Sequence, residues 1–175
     1  MFISLKELQI RKIEFDQSFE PGEIDLADPA LRQVSPLAAK GIARLLPNSG
    51  GQIRLVGSYR VVIEADCDRC LGLARFVLNE PFDLFYHPVV ETTAEEVEID
   101  EGAAELAFYR GDGFPLEEAL RDQALLALPM QRVCREDCLG ICPVCGADRN
   151  ETPCQCREKP SDERWSALKK ISITR

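Results

Sequence analysis

Apolar and polar positions divide the chain into strand-like runs, one clear helix and a cysteine-rich tail. Residues Phe2 to Phe15 alternate only loosely, and Pro21-Gly22 break the pattern. Pro36 to Leu46 is rich in Ala, Leu and Lys, which suits a helix by propensity. It runs, however, into Pro47-Asn48-Ser49-Gly50-Gly51, a turn signal directly ahead of a strand, so a hairpin arm is the better reading. That next strand spans Gln52 to Ala65, where Ile53, Leu55, Val56, Tyr59, Val61, Val62 and Ile63 concentrate β-branched and aromatic residues. A second such run, Ala74 to Tyr86, carries Phe76, Val77, Leu78, Phe82, Leu84 and Phe85. Cys67-Asp68-Arg69-Cys70-Leu71-Gly72 lies between them, at the tip of the predicted hairpin.

Helical spacing takes over at Pro115 and continues to Leu128. Proline is expected in the first turn, with Glu117 and Glu118 near the positive helix end. Leu116, Leu120, Ala124 and Ala127 form one face, Leu125 and Leu128 widen it, and Pro129 stops the helix. A second, short helix is predicted after Pro160. Ser161 is its N-cap, Asp162 and Glu163 follow, and Trp165, Leu168 and Ile171 face the body. The expected fold class is therefore α+β. An antiparallel sheet or partial barrel with a packing helix at 115–128 fills residues 1–130. A cysteine-rich module and a short C-terminal helix fill residues 131–175.

Composition is compatible with this picture. The 45% hydrophobic fraction suffices for a packed core, and eleven glycines with eleven prolines favour strands and turns over a helical bundle. No apolar run approaches the roughly 20 residues of a membrane span. Met1 to Ile10 lacks the basic region, apolar stretch and cleavage site of an export signal, so a cytoplasmic location is expected. The net charge of -9 is uneven: 12 basic and 23 acidic residues precede Gln131, and 9 basic and 7 acidic follow. Eleven acids against the single base Arg110 fall between Asp83 and Glu118, which reads as a solvated acidic surface. An acidic body repels phosphate, so any RNA contact is expected in the C-terminal third.

Eight cysteines at 67, 70, 134, 138, 142, 145, 154 and 156 carry the chemistry. Closely spaced pairs such as C-x2-C make poor structural disulfides, and in a reducing compartment they are metal ligands or redox centres. Four thiolates at about 2.3 Å suit zinc, and a tight turn lets two sulfurs face one ion. In Cys142-Pro143-Val144-Cys145-Gly146, proline fixes one φ and glycine frees the backbone after the second thiolate. Cys154 and Cys156 can close the ion from the other side. Cys67, Cys70, Cys134 and Cys138 remain for a second site. The spacing leaves open one zinc or two, an exchange in which Cys134 or Cys138 replaces Cys154 or Cys156, and iron in place of zinc.

Catalysis finds little in the residues. His87 is the only histidine, and no glycine loop has nucleotide-binding spacing. An all-cysteine metal site is closed, whereas a hydrolytic one keeps an open position. The chain reads as a non-enzyme without a small-molecule substrate.

Cys67-Asp68-Arg69-Cys70-Leu71 and the block Cys134 to Asn150 (CREDCLGICPVCGADRN) are distinctive. With Cys154-Gln155-Cys156 and Asp162-Glu163-Arg164-Trp165-Ser166-Ala167-Leu168, they resemble the YceD-like family of large ribosomal RNA subunit accumulation proteins. One departure is Glu163 before Arg164-Trp165, where the family often has proline. The resemblance implies an accessory role in large-subunit biogenesis, with ribosomal RNA or a large-subunit ribosomal protein as partner, and carries over no catalytic residue. Arg132, Arg135, Arg149, Arg157 and Lys159 are the candidate contacts, against a reading as ordinary solvated surface. The alternatives are a thiol redox or metal-relay protein using Cys67 and Cys70, and a rubredoxin-like electron carrier.

Overall fold

The computed structural model describes residues 1–89 and 107–156. In chain order the elements are β1 (Phe2–Ser4), α1 (Leu5–Leu8), β2 (Ile13–Phe19), β3 (Arg32–Gln33), β4 (Leu37–Leu45) and β5 (Ile53–Asp66). They continue with β6 (Leu73–Pro88), β7 (Ala107–Tyr109), β8 (Gly113–Pro115) and α2 (Leu116–Ala127). The predicted helix after Pro160, the bases Arg157 and Lys159, and most of the acidic stretch lie outside the described residues.

The main sheet has the order β2-β4-β5-β6-β7, with β3 paired to the far half of β5. It is antiparallel except for a short parallel pairing of β6 with β7. β1 and β8 form a separate antiparallel pair. The fold is the expected α+β arrangement, built as an open sheet among the described residues. Within Pro36 to Leu46, Leu37–Leu45 is a strand, as the turn signal indicated.

Alternate residues of β5 and β6 point inward, because one face of the sheet is covered and the other is wet. Leu55, Tyr59, Val61 and Ile63 of β5, with Ala74, Leu78, Phe82 and Tyr86 of β6, enter the core. The Tyr59 hydroxyl donates to the Gln123 carbonyl of α2 at 3.0 Å, which satisfies the one polar atom that this ring carries inward. Four strands contribute a row in register: Phe15, Gly41, Gly57 and Phe82. A Cβ on Gly41 would strike the Val56 carbonyl and lie 2.7 Å from the Phe15 ring. One on Gly57 would strike the Lys40 carbonyl and lie 2.8 Å from the Phe82 ring. Two aromatic rings thus occupy the space that the missing side chains leave.

α2 packs on β6 and β8 and buries Leu116, Ala119, Leu120 and Ala124. Two expectations need correction. Ala127 is exposed and Ala119 takes its place, because the last turn runs past the core and the i, i+3, i+4 set 116, 119, 120 faces it. Pro115 is the extended N-cap and the last residue of β8, not a first-turn residue. Leu128 is extended ahead of Pro129, as a residue before proline prefers to be.

The β5–β6 hairpin is much longer than the strands beside it. Among the described residues, its distal part is flanked by β3 on one side and holds the first cysteine pair at its end, against the chain that follows α2.

Candidate metal centres

Both C-x2-C pairs fold into the same turn, although their sequences differ. In the first, the Cys67 N–H donates to the Gly72 carbonyl at 2.7 Å, the Leu71 N–H to the Cys67 carbonyl at 2.9 Å, and the Arg69 N–H to the Cys67 sulfur at 3.5 Å. In the second, the Cys142 N–H donates to Ala147 at 2.8 Å, the Gly146 N–H to Cys142 at 2.8 Å, and the Val144 N–H to the Cys142 sulfur at 3.4 Å. The residue after the second cysteine has positive φ in both: +60° at Leu71 and +73° at Gly146. Glycine adopts that conformation freely and leucine does not. The turn aims two sulfurs to one side and a backbone N–H at the first of them.

The eight sulfurs separate into two groups, Cys67 with Cys70, Cys134 and Cys138, and Cys142 with Cys145, Cys154 and Cys156. Within each group all four lie within 4.8 Å of one another. The partner exchange left open by the spacing is absent from this geometry. In the first group Cys67 and Cys138 sulfurs are 3.9 Å apart, and Cys70 and Cys134 sulfurs 3.7 Å. A tetrahedron with zinc–sulfur bonds of about 2.3 Å has edges of about 3.8 Å, so the four donors fit a single tetrahedral ion. They are well beyond the roughly 2.05 Å of a disulfide. Cys67 and Cys138 are buried with Ala74 beneath them, while Cys134 lies at the surface.

The thiols in each group are unequal. Burial opposes ionisation of Cys67, but N–H groups of Cys70, Cys134 and Arg69 outweigh it and draw the thiol down to about 6. Cys134 is pushed up to about 12, first by desolvation of its sulfur inside the cluster, then by hydrogen bonds from neighbouring thiols. In the second group, N–H groups of Cys145 and Val144 bring Cys142 down to about 6. Hydrogen bonding with Cys145, then desolvation, pushes Cys156 up to about 12. Each cluster thus offers one ready thiolate beside thiols that resist ionising next to it. A cation removes that resistance.

Polar groups around the sulfurs tie the clusters to the hairpin. The Arg69 guanidinium donates to the Glu136 and Cys138 carbonyls, each at 3.2 Å, and its own carbonyl accepts from the Ile141 N–H at 2.8 Å. Gly140, at φ +69°, sits so close that a Cβ would lie 2.7 Å from that carbonyl. Asp68 exchanges two bonds with Arg132: its N–H donates to the Arg132 carbonyl at 2.8 Å, and its carboxylate accepts the Arg132 N–H at 2.6 Å. Asn150 donates to the Cys138 sulfur at 3.4 Å. Sequence reasoning missed Arg69, Gly140 and Asn150 in these roles. Only the glycine left a signal, since it sits between two cysteines in a segment with few apolar residues.

Of the candidate RNA-contacting bases, Arg132 pairs with Asp28 at 2.7 Å, and Arg135 with Asn150 at 2.9 Å and Asp137 at 3.3 Å. Among the described residues, the Arg149 guanidinium makes no hydrogen bond or ion pair; it lines the small hollow beside Cys142, Cys154 and Cys156. His87, the lone histidine, pairs with Gln52 on the sheet, away from the cysteines. No described helix is long and apolar enough to cross a membrane.

Uncharacterised proteins of Mycobacterium tuberculosis and Mycobacterium bovis are each 31% identical over 122 residues, covering 66% of this chain and 54% of the relative. The Zea mays protein named large ribosomal RNA subunit accumulation protein YCED homolog 1, chloroplastic, is 31% identical over 133 residues, 62% of this chain and 45% of its own length. The chain therefore spans about half the length of these relatives. No solved structure matches it at a significant level. The family described as large ribosomal RNA subunit accumulation protein YceD matches residues 55–172, from the cysteine-bearing hairpin through both clusters, and the chain belongs to that family.

Proposed function

We propose that the chain is a non-enzymatic, zinc-binding accessory factor of large-ribosomal-subunit biogenesis that supports accumulation of the large-subunit RNA. The observation that carries this reading is the pair of four-cysteine clusters inside the region matched by the family. Cys67, Cys70, Cys134 and Cys138 would hold one ion, and Cys142, Cys145, Cys154 and Cys156 a second. Four thiolates leave no open position for water or substrate, so each ion shapes a surface and performs no hydrolysis. Such an ion supplies folding free energy to a segment with few apolar side chains. A reducing compartment such as the cytosol keeps the eight thiols available.

Ribosomal RNA or a large-subunit ribosomal protein is the partner we assign, with Arg149, Arg157 and Lys159 as the first contacts to test. Arg132 and Arg135 are already engaged within the chain, which reduces their availability. A relay using Cys67 and Cys70 draws less support, because each sulfur also has a partner across the cluster, Cys138 at 3.9 Å from Cys67 and Cys134 at 3.7 Å from Cys70.

Affinity capture of the tagged full chain from native lysate tests the reading, with sequencing of bound RNA and metal analysis of the eluate. Large-subunit RNA or a precursor particle should be enriched, with close to two zinc ions per chain. Capture without ribosomal RNA or ribosomal protein would falsify the biogenesis role, and a metal-free eluate prepared without chelator would remove its structural basis.

A further inference from the structure

The side chain of Asn150 is the only described link between the loop of the second cluster and a sulfur of the first. We propose that Asn150 couples the two centres, so that an ion held by Cys142, Cys145, Cys154 and Cys156 tightens ion binding by Cys67, Cys70, Cys134 and Cys138. This rests on the reading of both clusters as metal sites.

Asn150 lies between Cys145 and Cys154, in the loop that the second ion would close. Its amide is used in full. One N–H donates to the Cys138 sulfur at 3.4 Å and the other to Asp148 Oδ1 at 2.7 Å. Its carbonyl oxygen accepts the Leu139 N–H at 2.8 Å and the Arg135 guanidinium at 2.9 Å. An amide has two donors and one oxygen with two lone pairs, so no capacity is left over. Three of the four bonds end on the segment from Arg135 to Leu139, which contains a ligand of the first cluster.

The two halves of the first cluster have unequal needs. Cys67 and Cys70 stand on the turn of a long hairpin and are placed by the sheet. Cys134 and Cys138 stand on a segment without helix or strand, so ordering that segment is the main cost of assembling the site. Backbone bonds anchor the start of the Cys145–Cys154 loop, through Gly146 N–H to Cys142, Cys142 N–H to Ala147 and Arg149 N–H to Gly140, whereas beyond Arg149 the described ones are those of Glu151 and Thr152 to the Asp148 carbonyl, inside the loop itself. An ion at the second cluster fixes this loop and with it Asn150, which then holds the Arg135–Leu139 segment and hydrogen-bonds the Cys138 thiolate. The first ion meets a site already ordered. Linkage makes the effect reciprocal, and coupling of this kind is on the order of 5- to 150-fold in affinity.

The test is cadmium binding to the metal-free, reduced full chain, by competition with a chelator of known affinity and by 113Cd NMR, which resolves two sulfur-ligated ions. Wild type, Asn150→Ala, the pair Cys145→Ser with Cys154→Ser, and all three changes together form a cycle. In the wild-type background, removing the second cluster should weaken the first at least fivefold; Asn150→Ala alone should weaken the first comparably. In the Asn150→Ala background, removing the second cluster should change the first no further. An equal loss in both backgrounds overturns the role of Asn150, and no loss in either shows independent sites. Asn150→Asp keeps the shape and the accepting oxygen but turns a carboxylate oxygen toward the Cys138 sulfur. It should weaken the first site more than alanine and move its cadmium resonance, while the second resonance stays and reports an intact fold. Wild-type binding by the aspartate variant overturns the proposal. Wild-type protein that shows no thiolate-bound cadmium overturns the metal reading itself, an outcome distinct from two sites that bind independently.

Discussion

Leu71 and Gly146 do the same job with different chemistry. Both follow the second cysteine of a C-x2-C turn and both hold positive φ, yet only one is glycine. A left-handed conformation costs a residue with a Cβ roughly 1–2 kcal/mol. Glycine avoids this but loses more freedom on folding, by about 0.5–1 kcal/mol. Leu71 is 67% exposed, so its side chain contributes little packing. Leu71→Gly should therefore stabilise the metal-loaded protein slightly, on the order of 0.5–1 kcal/mol, and Gly146→Leu should destabilise it by a similar amount. Denaturant midpoints of the two variants check this, and opposite signs are the decisive feature. The cysteine spacing revealed the turns and the reservoir of ligands. It also suggested how the eight divide, the grouping that the structure has, but left an exchange open, because sequence distance does not say which turn the hairpin tip meets. Asn150 was illegible for a related reason: an asparagine in a polar loop looks like any turn residue until its four hydrogen bonds are traced.

Among the elements, β5 and β6 were legible because long runs with one wet face concentrate β-branched and aromatic residues; β4 was legible from the turn after it, and β2 was not, since Phe2 to Phe15 alternate only loosely. β1, β7 and β8 have three residues each, too few to carry a period, and α1 has only four. The end of α2 misled for the opposite reason: the pattern continued through Ala127 after the core had ended. A glycine weakens a strand on entropy alone, yet the packing around those in the middle of β4 and β5 makes them necessary. Gly57→Ala should cost about 2–3 kcal/mol or more, since its Cβ meets a carbonyl of β4 and the Phe82 ring together. Ser58→Ala, its neighbour on the opposite face, should stay within about 0.5 kcal/mol of wild type. Equilibrium unfolding of the pair decides it. Equal stabilities would mean that the sheet relaxes around the new methyl group.

For the whole molecule, stability and pH are joined through the ions. Metal binds the deprotonated form, so affinity rises with pH wherever uptake releases protons. At neutral pH Cys67 and Cys142, both at about 6, are already ionised, while Cys134 and Cys156, at about 12, must give up protons. Below pH 6 the first two are protonated as well, and each site then releases one further proton. The plot of log affinity against pH should rise throughout and be steeper by one proton per site below pH 6. Zinc competition measurements from pH 5 to 8 test this; an affinity that does not change with pH is incompatible with thiolate ligation. The first cluster also spans the chain, since Cys70 and Cys134 are 64 residues apart. A chain made from its N-terminus at roughly 5–20 residues per second takes about 3–13 s to cover that interval. Throughout it the hairpin tip emerges as half a site, two thiols waiting for the other two. The second cluster, complete within a much shorter stretch, has no such delay. Assembly of this protein thus contains an interval set by translation itself, during which its Cys67 and Cys70 are open to any soft metal or oxidant nearby.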